Sequence, residues 1–284
     1  MKFHRVSLAL AAAVAWPALA AAQAPPTAPA VLTLPSSARV AALGSAWVAG
    51  RDQDVIFHNP AQLIGARTDF SASFGHFGPK AKMASLTSAY AGGRLSFTVG
   101  WGVQLADFEL QNTQSANAVV GGAVLYKGFR FGVSEKYAAD RTSANHHALL
   151  TDIGLARNLW GGAVAVAVQN LGDGTLDGTA TRTPRQVAAG FSKNQSAGPL
   201  DLAVFTQVSH RRDWNGAAAG LEAGYSWIEG MSVTGRVGVR RPETTGEKPI
   251  SLGGAFTADR LTLEYALQMF DNSKRSHLVT IRWR

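Results

Sequence analysis

His146 and His147 stand side by side, and paired imidazoles invite a metal. Adjacent residues on a strand point to opposite faces, however, and no acid or third ligand is spaced to complete a coordination shell. Ser209, His210 and Asn215 carry the groups of a hydrolytic constellation, yet their spacing reads as a polar hairpin turn. Gly121-Gly122 and Gly161-Gly162 lack the lysine and the strand-to-helix setting of a phosphate loop. The expectation is a protein that is not an enzyme and that carries no cofactor and no metal.

A second set of charged residues falls inside apolar segments. Asp152, Glu222, Arg236, Arg240, Glu264 and Arg282 alternate with residues such as Leu221, Ala223, Tyr225 and Trp227, or Leu261, Leu263, Tyr265, Leu267 and Met269. Alternation puts the two kinds on opposite faces of a strand, so the apolar face would meet lipid and the charged face a lumen. Neighbouring strands would set Glu222 near Arg236 and Glu264 near Arg282, as mutually neutralising pairs.

The elements that carry these residues are strands throughout. From Arg94 to Gln104, Leu95, Phe97, Val99, Trp101 and Val103 point one way and polar or small residues the other. The pattern recurs in about 14 segments, from roughly 67–78 to 275–284, and an even number suits a closed antiparallel bacterial barrel. Trp101, Tyr225, Trp227 and Trp283 are candidates for interfacial girdles. Gly92-Gly93 and Lys127-Gly128 predict tight turns, whereas Ala106–Ser115, Gly172–Thr183 and Pro242–Lys248 predict long extracellular loops.

Composition fits this reading. The chain is 46% hydrophobic and only 16% charged, with 30 glycines and no cysteine, so neither disulfides nor an N-terminal lipid anchor is available. Lys2, Arg5 and the apolar Val6–Val14 run precede A-x-A cleavage sites, which predicts a signal peptide over 1–22 and Sec export. Nothing approaches the roughly 18 consecutive apolar residues of a membrane helix. Removing Lys2 and Arg5 from 27 basic residues leaves 25 against 19 acids, a net of +6. Those charges are scattered, which suits lipid and lipopolysaccharide head groups and excludes a nucleic-acid stripe.

Before the strands lie a Pro/Ala-rich spacer, 23–35, and a segment, 36–66, without clean alternation, in which Arg39–Val48 predicts a short helix. Within it, Arg39, Gly44, Ala46, Val48, Ala49, Asp52, Asn59, Pro60, Ala61 and Leu63 resemble the N-terminal motif of FadL-related (OMPP1/FadL/TodX) outer-membrane proteins, especially the PorV/PorQ type. Ser45 and Gln62 replace glycines of that pattern, and Gln53 or Asp54 stands at its second acid. Gly132–Tyr137, Asp152–Leu155, Val168–Gly172, Thr183–Gly190, Leu263–Tyr265 and Ser276–Val279 are similar to later blocks of the same type.

The resemblance implies an all-β transmembrane barrel, 67–284, in the outer membrane of a Gram-negative-type bacterium, closed around a plug, 36–66. Small residues at Gly44 and Ala46 would let the plug approach the wall. Asn59-Pro60 would fix the turn into the first strand, and Arg39, Asp52 and Asp54 would find charged partners in the lumen. It implies two roles. One is a partner-binding barrel for secreted proteins in type IX-like secretion and surface attachment. The other is FadL-like transport of long-chain fatty acids or other hydrophobic small molecules through a shifted plug and a lateral opening. A structural or diffusion porin is the third reading.

Overall fold

Alternation of lipid-facing and lumen-facing residues dictates extended backbone, and a run of hairpins closes on itself. In this computed structural model the described residues are 29–284, apart from 67–68, 78–80, 93–95, 110–112, 142–144, 176–182, 184, 213, 244–245 and 272–273. The predicted signal peptide, most of the predicted spacer, Arg94, Leu95 and the side chain of His146 lie outside them.

The first seven strands are β1 (Asp69–Phe77), β2 (Ala81–Gly92), β3 (Phe97–Phe108), β4 (Thr113–Tyr126), β5 (Phe129–Arg141), β6 (Asn145–Leu159) and β7 (Gly162–Thr175). The others are β8 (Gln186–Ala197), β9 (Leu200–Arg211), β10 (Trp214–Ile228), β11 (Met231–Arg240), β12 (Glu247–Ala258), β13 (Leu261–Phe270) and β14 (Arg275–Trp283). Each pairs antiparallel with its sequence neighbours, and β1 pairs with β14, Phe70 opposite Trp283 and His76 opposite His277, to close a 14-stranded barrel. Closure leaves no free sheet edge, which is what allows strands to cross lipid.

The faces sort as a membrane requires. Val99, Trp101 and Leu105 are exposed on the outside, whereas Thr98 and Gln104 of the same strand are buried. Leu221, Tyr225, Trp227, Leu261, Leu263, Tyr265 and Trp283 also face outward, and Tyr225, Trp227 and Phe256 stack in series. The even strand count brings Asp69 and Trp283 to one rim, called here the terminal rim. Connections at that rim are tight: Lys127-Gly128 and Trp160-Gly161 both have positive φ at each position, the backbone of a two-residue hairpin turn.

Two expectations about connections and helix need correction. The segment 106–115 is mostly strand, since Ala106 pairs with Ser115 and Asp107 with Gln114; β7 runs on to Thr175 and β12 starts at Glu247. Those residues read as loop because strands continue past the apolar belt into water, where Lys82 and Glu109 pair at 2.6 Å. The helix, α1, spans only Ala38–Ala42, because Gly44 and Ser45 adopt left-handed backbone at φ 65° and 60° and end it.

Residues 30–65 lie within the barrel as α1 and three 3₁₀ turns, at Ala30–Thr33, Gln53–Phe57 and Pro60–Gly65. Val40, Leu43, Trp47, Ile56 and Leu63 are buried against Phe205 and small wall residues, with the Trp47 and Phe205 ring centroids 5.0 Å apart. This core is inside the wall, where a soluble β protein would place sheet-to-sheet contacts. Contact is close because glycine meets backbone: a Cβ on Gly238 would press into the Leu43–Gly44 peptide, and one on Gly132 into the Pro60–Ala61 peptide.

Candidate functional site

Local capping sets the inner segment's shape before the wall acts on it. The Asp52 carboxylate accepts Asp54 N at 3.1 Å and starts one 3₁₀ turn. Asn59 starts the next: its Oδ1 accepts Ala61 N at 3.1 Å, its Nδ2 donates to Val48 O at 2.9 Å, and Pro60 follows at the first position.

Six charges then close a ring. Arg39 grips both Glu222 oxygens, at 2.9 and 3.0 Å; Glu222 accepts from Arg236 at 2.6 Å; Arg236 reaches Glu264 at 3.1 Å. Glu264 meets Arg282 at 3.3 Å, Arg282 meets Asp52 at 3.5 Å, and Asp52 returns to Arg39 at 3.3 Å. Asp54 joins from the side, taking Arg282 at 3.0 Å, Ser71 Oγ at 3.1 Å and Thr87 Oγ1 at 2.7 Å. Arg39, Asp52 and Asp54 belong to the inner segment; Glu222, Arg236, Glu264 and Arg282 belong to β10, β11, β13 and β14. Such pairs hold a single geometry, because removing one member strands its neighbours as buried charges.

Three arginines face four carboxylates, and the two aspartates respond in opposite directions. Burial pushes Asp52 up to about 6, against the pull of Arg282 and Arg39, with Asp54 adding to the rise. Burial acts on Asp54 too, but Arg282 and the Thr87 hydroxyl outweigh it and hold that carboxyl below its usual range. Trp47 Nε1 donates to Asp52 at 3.2 Å, and the Arg39 guanidinium lies 4.8 Å over the Trp47 ring.

The remaining predicted residues fall outside the ring. Asp152 of β6 is fully buried. Its Oδ2 pairs with Lys136 Nζ at 2.5 Å and its Oδ1 accepts Asn170 N at 2.9 Å. Lys136 Nζ also donates to Phe57 O of the inner segment at 3.3 Å. Arg240 pairs with Glu247 at 2.5 Å and donates to Ser45 Oγ at 2.9 Å. Gly44 touches the β11 backbone, and Ala46 is buried in the inner core.

Uncharged wall residues that the sequence reading passed over do as much of the holding. Gln207 Oε1 accepts Trp47 N and Val48 N at 3.0 and 2.9 Å. Gln169 donates to Phe57 O and His58 O at 3.2 and 2.8 Å, Ser192 to Ala49 O at 2.7 Å, and Ser251 to Ala42 O at 3.1 Å. Their signal was the polar half of each alternation. By contrast, both amide atoms of the fully buried Gln53 and Gln62 have no hydrogen-bond partner.

Two cavities flank the inner segment. One, of about 290 Å³, lies toward the terminal rim between Arg39, Trp47, Arg51, Asp52, Asp69 and Arg284. The other, of about 70 Å³, lies toward the opposite rim between His58, Gln104, Lys136, Gln169, Gln207 and Arg240. Among the described residues no cluster of His, Asp and Glu could hold a metal. His210 and Asn215 face each other across a hairpin at 2.7 Å.

A closed 14-stranded transmembrane β-barrel is the class this fold defines. No family profile and no curated protein matches the chain. Solved structures do: the CymD monoaromatic hydrocarbon channel at TM-score 0.58 and 11% identity, over 87% of this chain and 96% of that one. The Pseudomonas putida toluene transporter TodX follows at 0.57 and 11%, over 87% and 96%. A Pseudomonas aeruginosa FadL homologue aligns at 0.54 and 8%, over 87% and 97%. The fold is that of the FadL/TodX-type outer-membrane barrels.

Proposed function

We propose that this protein is a plugged outer-membrane channel that passes small hydrophobic molecules, exported by its 1–22 signal and gated by movement of residues 36–66. The observation that carries the reading is the six-membered charge ring, which ties the inner segment to four strands at once. A segment with no such role would be held adequately by its apolar core. The names of the neighbours, a monoaromatic hydrocarbon channel and a toluene transporter, favour small apolar cargo.

The wall supports a lateral route. Pairing between β6 and β7 slips twice, from Leu149 opposite Gly174 to Thr151 opposite Leu171 to Ile153 opposite Val168, so β7 carries extra residues there. Asp152 fills the gap by accepting Asn170 N, with Asn170 at φ 58°. Through Lys136 that same carboxylate reaches Phe57 of the inner segment, so the inner segment and the wall are linked at a place where the ladder is broken.

Uptake of a monoaromatic hydrocarbon by cells, comparing wild type with a deletion of residues 36–66, tests the reading. A changed uptake rate is expected, and equal rates in wild type, deletion and a barrel-free strain would overturn it. The secretion role rests on sequence resemblance alone, that of residues 39–63 and of the later blocks; a secreted protein recovered with the barrel by native extraction, without any uptake defect, would replace the channel reading by that one.

A further inference from the structure

Five arginines inside the barrel, Arg39, Arg211, Arg236, Arg240 and Arg282, each lie within 3.5 Å of a carboxylate. Among the described residues, Arg51 and Arg130 have no carboxylate within that distance. Arg51 follows the inner segment's Gly50, packs its stem against Gly65 and lines the cavity of about 290 Å³. Arg130 is the second residue of β5; it points into the lumen at the terminal rim and is 5% exposed. Each donates from Nη2 to the same atom, Asn158 Oδ1, at 2.9 and 3.1 Å.

That arrangement satisfies a geometry and no charge. A neutral amide oxygen orients two guanidiniums toward one another but offers nothing to offset two like charges, one of them buried. A guanidinium has five N–H donors in a planar fork, and here one donor of each is spent on Asn158. Each guanidinium keeps further donors, and a guanidinium fork is the shape that carboxylate and phosphate groups occupy bidentately. Nearby charges do not fill the role: Arg39 holds Asp52 and Glu222, and Arg284 stands by Asp69 at 3.8 Å. We propose that Arg51, Arg130 and Asn158 form a binding site for a small dissolved oxyanion, a carboxylate or phosphate group, at the terminal-rim mouth of the lumen.

The ligand is dissolved and not a lipid head group, because Arg130 faces inward while its neighbour Phe131 faces the membrane at 43% exposure. The site is independent of the cargo: it sits on the mouth, apart from the β6–β7 gap. It also bridges the inner segment and the wall, through Arg51 and Arg130, so an anion bound there would hold the two together as a carboxylate does in the ring.

The test uses the intact protein in detergent at fixed ionic strength, with inorganic phosphate exchanged for chloride and binding followed by titration calorimetry. Saturable binding is expected in wild type. It should weaken about tenfold or more in Arg51→Gln and in Arg130→Gln, and stay unchanged in Arg157→Gln, whose guanidinium stacks on Phe129 at the same rim. Arg51 is exposed, so its variant reports on the site even where Arg130→Gln disturbs folding. Absence of saturable phosphate binding in wild type, or equal affinity in all four proteins, would overturn the proposal. So would binding seen only in bilayers containing phosphatidylglycerol, which would assign the forks to lipid.

Discussion

Arg282 and Asp54 are 228 positions apart, yet the last strand's guanidinium donates to the inner segment's carboxylate at 3.0 Å, with both side chains fully or almost fully buried. β14 is also the strand that pairs with β1, so the contact joins the inner segment to the strand that closes the wall. The inner segment is therefore held at the same seam that completes the wall.

Arg282→Gln should destabilise the protein by about 3–5 kcal/mol, because Asp54 would be left buried without its cation and Glu264 with Arg236 alone. The measurement is the temperature at which the folded, fast-migrating form on a cold gel converts to the unfolded one. Arg236→Gln should cost a similar amount and Arg157→Gln nearly nothing. Equal losses for Arg282 and Arg157 would show that the ring does not hold the fold.

The pH dependence has a definite sign. Asp52 has a folded pKa of about 6, above its unfolded value, so its ionisation works against the fold, and its contribution to stability falls as pH rises from about 4 to about 6. His58 acts oppositely over nearly the same window: burial, with Lys136 nearby, lowers it to about 4, so stability is lost as pH falls from about 6.5. The two are separated by difference. The melting midpoint of Asp52→Asn minus that of wild type should be largest near pH 7 and shrink toward pH 5, whereas a difference that is flat with pH would remove Asp52 from the titration.

Much of the wall was legible from the amino acids, and the reason is the solvent. Lipid tolerates no polar side chain on Val99, Trp101 or Leu105, so their period of two survives, and the opposed charges Glu222 with Arg236 and Glu264 with Arg282 follow from pairing neighbouring strands. What holds the inner segment was not legible. A glutamine such as Gln207 or Gln169 alternates identically whether it faces water or the backbone of Trp47 and Phe57. Lys136 sits in a motif block with nothing to mark it as the partner of Asp152. The ring's closure through Arg39 and Asp52 depends on where a non-repeating segment comes to rest, and local pattern carries no information on that.

Gln62 replaces a glycine of the resembled motif and Gln53 or Asp54 stands at its second acid; Gln53 and Gln62 are both buried with unpartnered amides. An amide buried without a hydrogen bond costs about 1–3 kcal/mol, so Gln62→Leu, close in volume and apolar, should raise the melting midpoint. Gln53→Leu should do the same. A fall in both would mean that the amides have partners in solution.

Asp152→Ala should loosen one part of the wall and leave the rest intact. The carboxylate now does three things: it accepts Asn170 N in place of a ladder partner, it neutralises Lys136, and through Lys136 it holds Phe57 O. Without it, the β6–β7 pair keeps its regular register only from Ile153 opposite Val168 onward, and the buried ammonium has no counter-ion. Hydrogen exchange in detergent should therefore accelerate at residues 149–153 and 168–172 and at 53–58 together, while β3 and β4, joined by an unbroken ladder from Phe97–Val124 to Phe108–Thr113, exchange as in wild type. Lys136→Met should relieve the unpaired charge but restore neither the Asn170 bond nor the Lys136 bond to Phe57 O, so in the double variant 53–58 and 168–172 should both stay fast. If the three segments respond independently, plug and wall are not coupled through this carboxylate, and the lateral route would need a different latch.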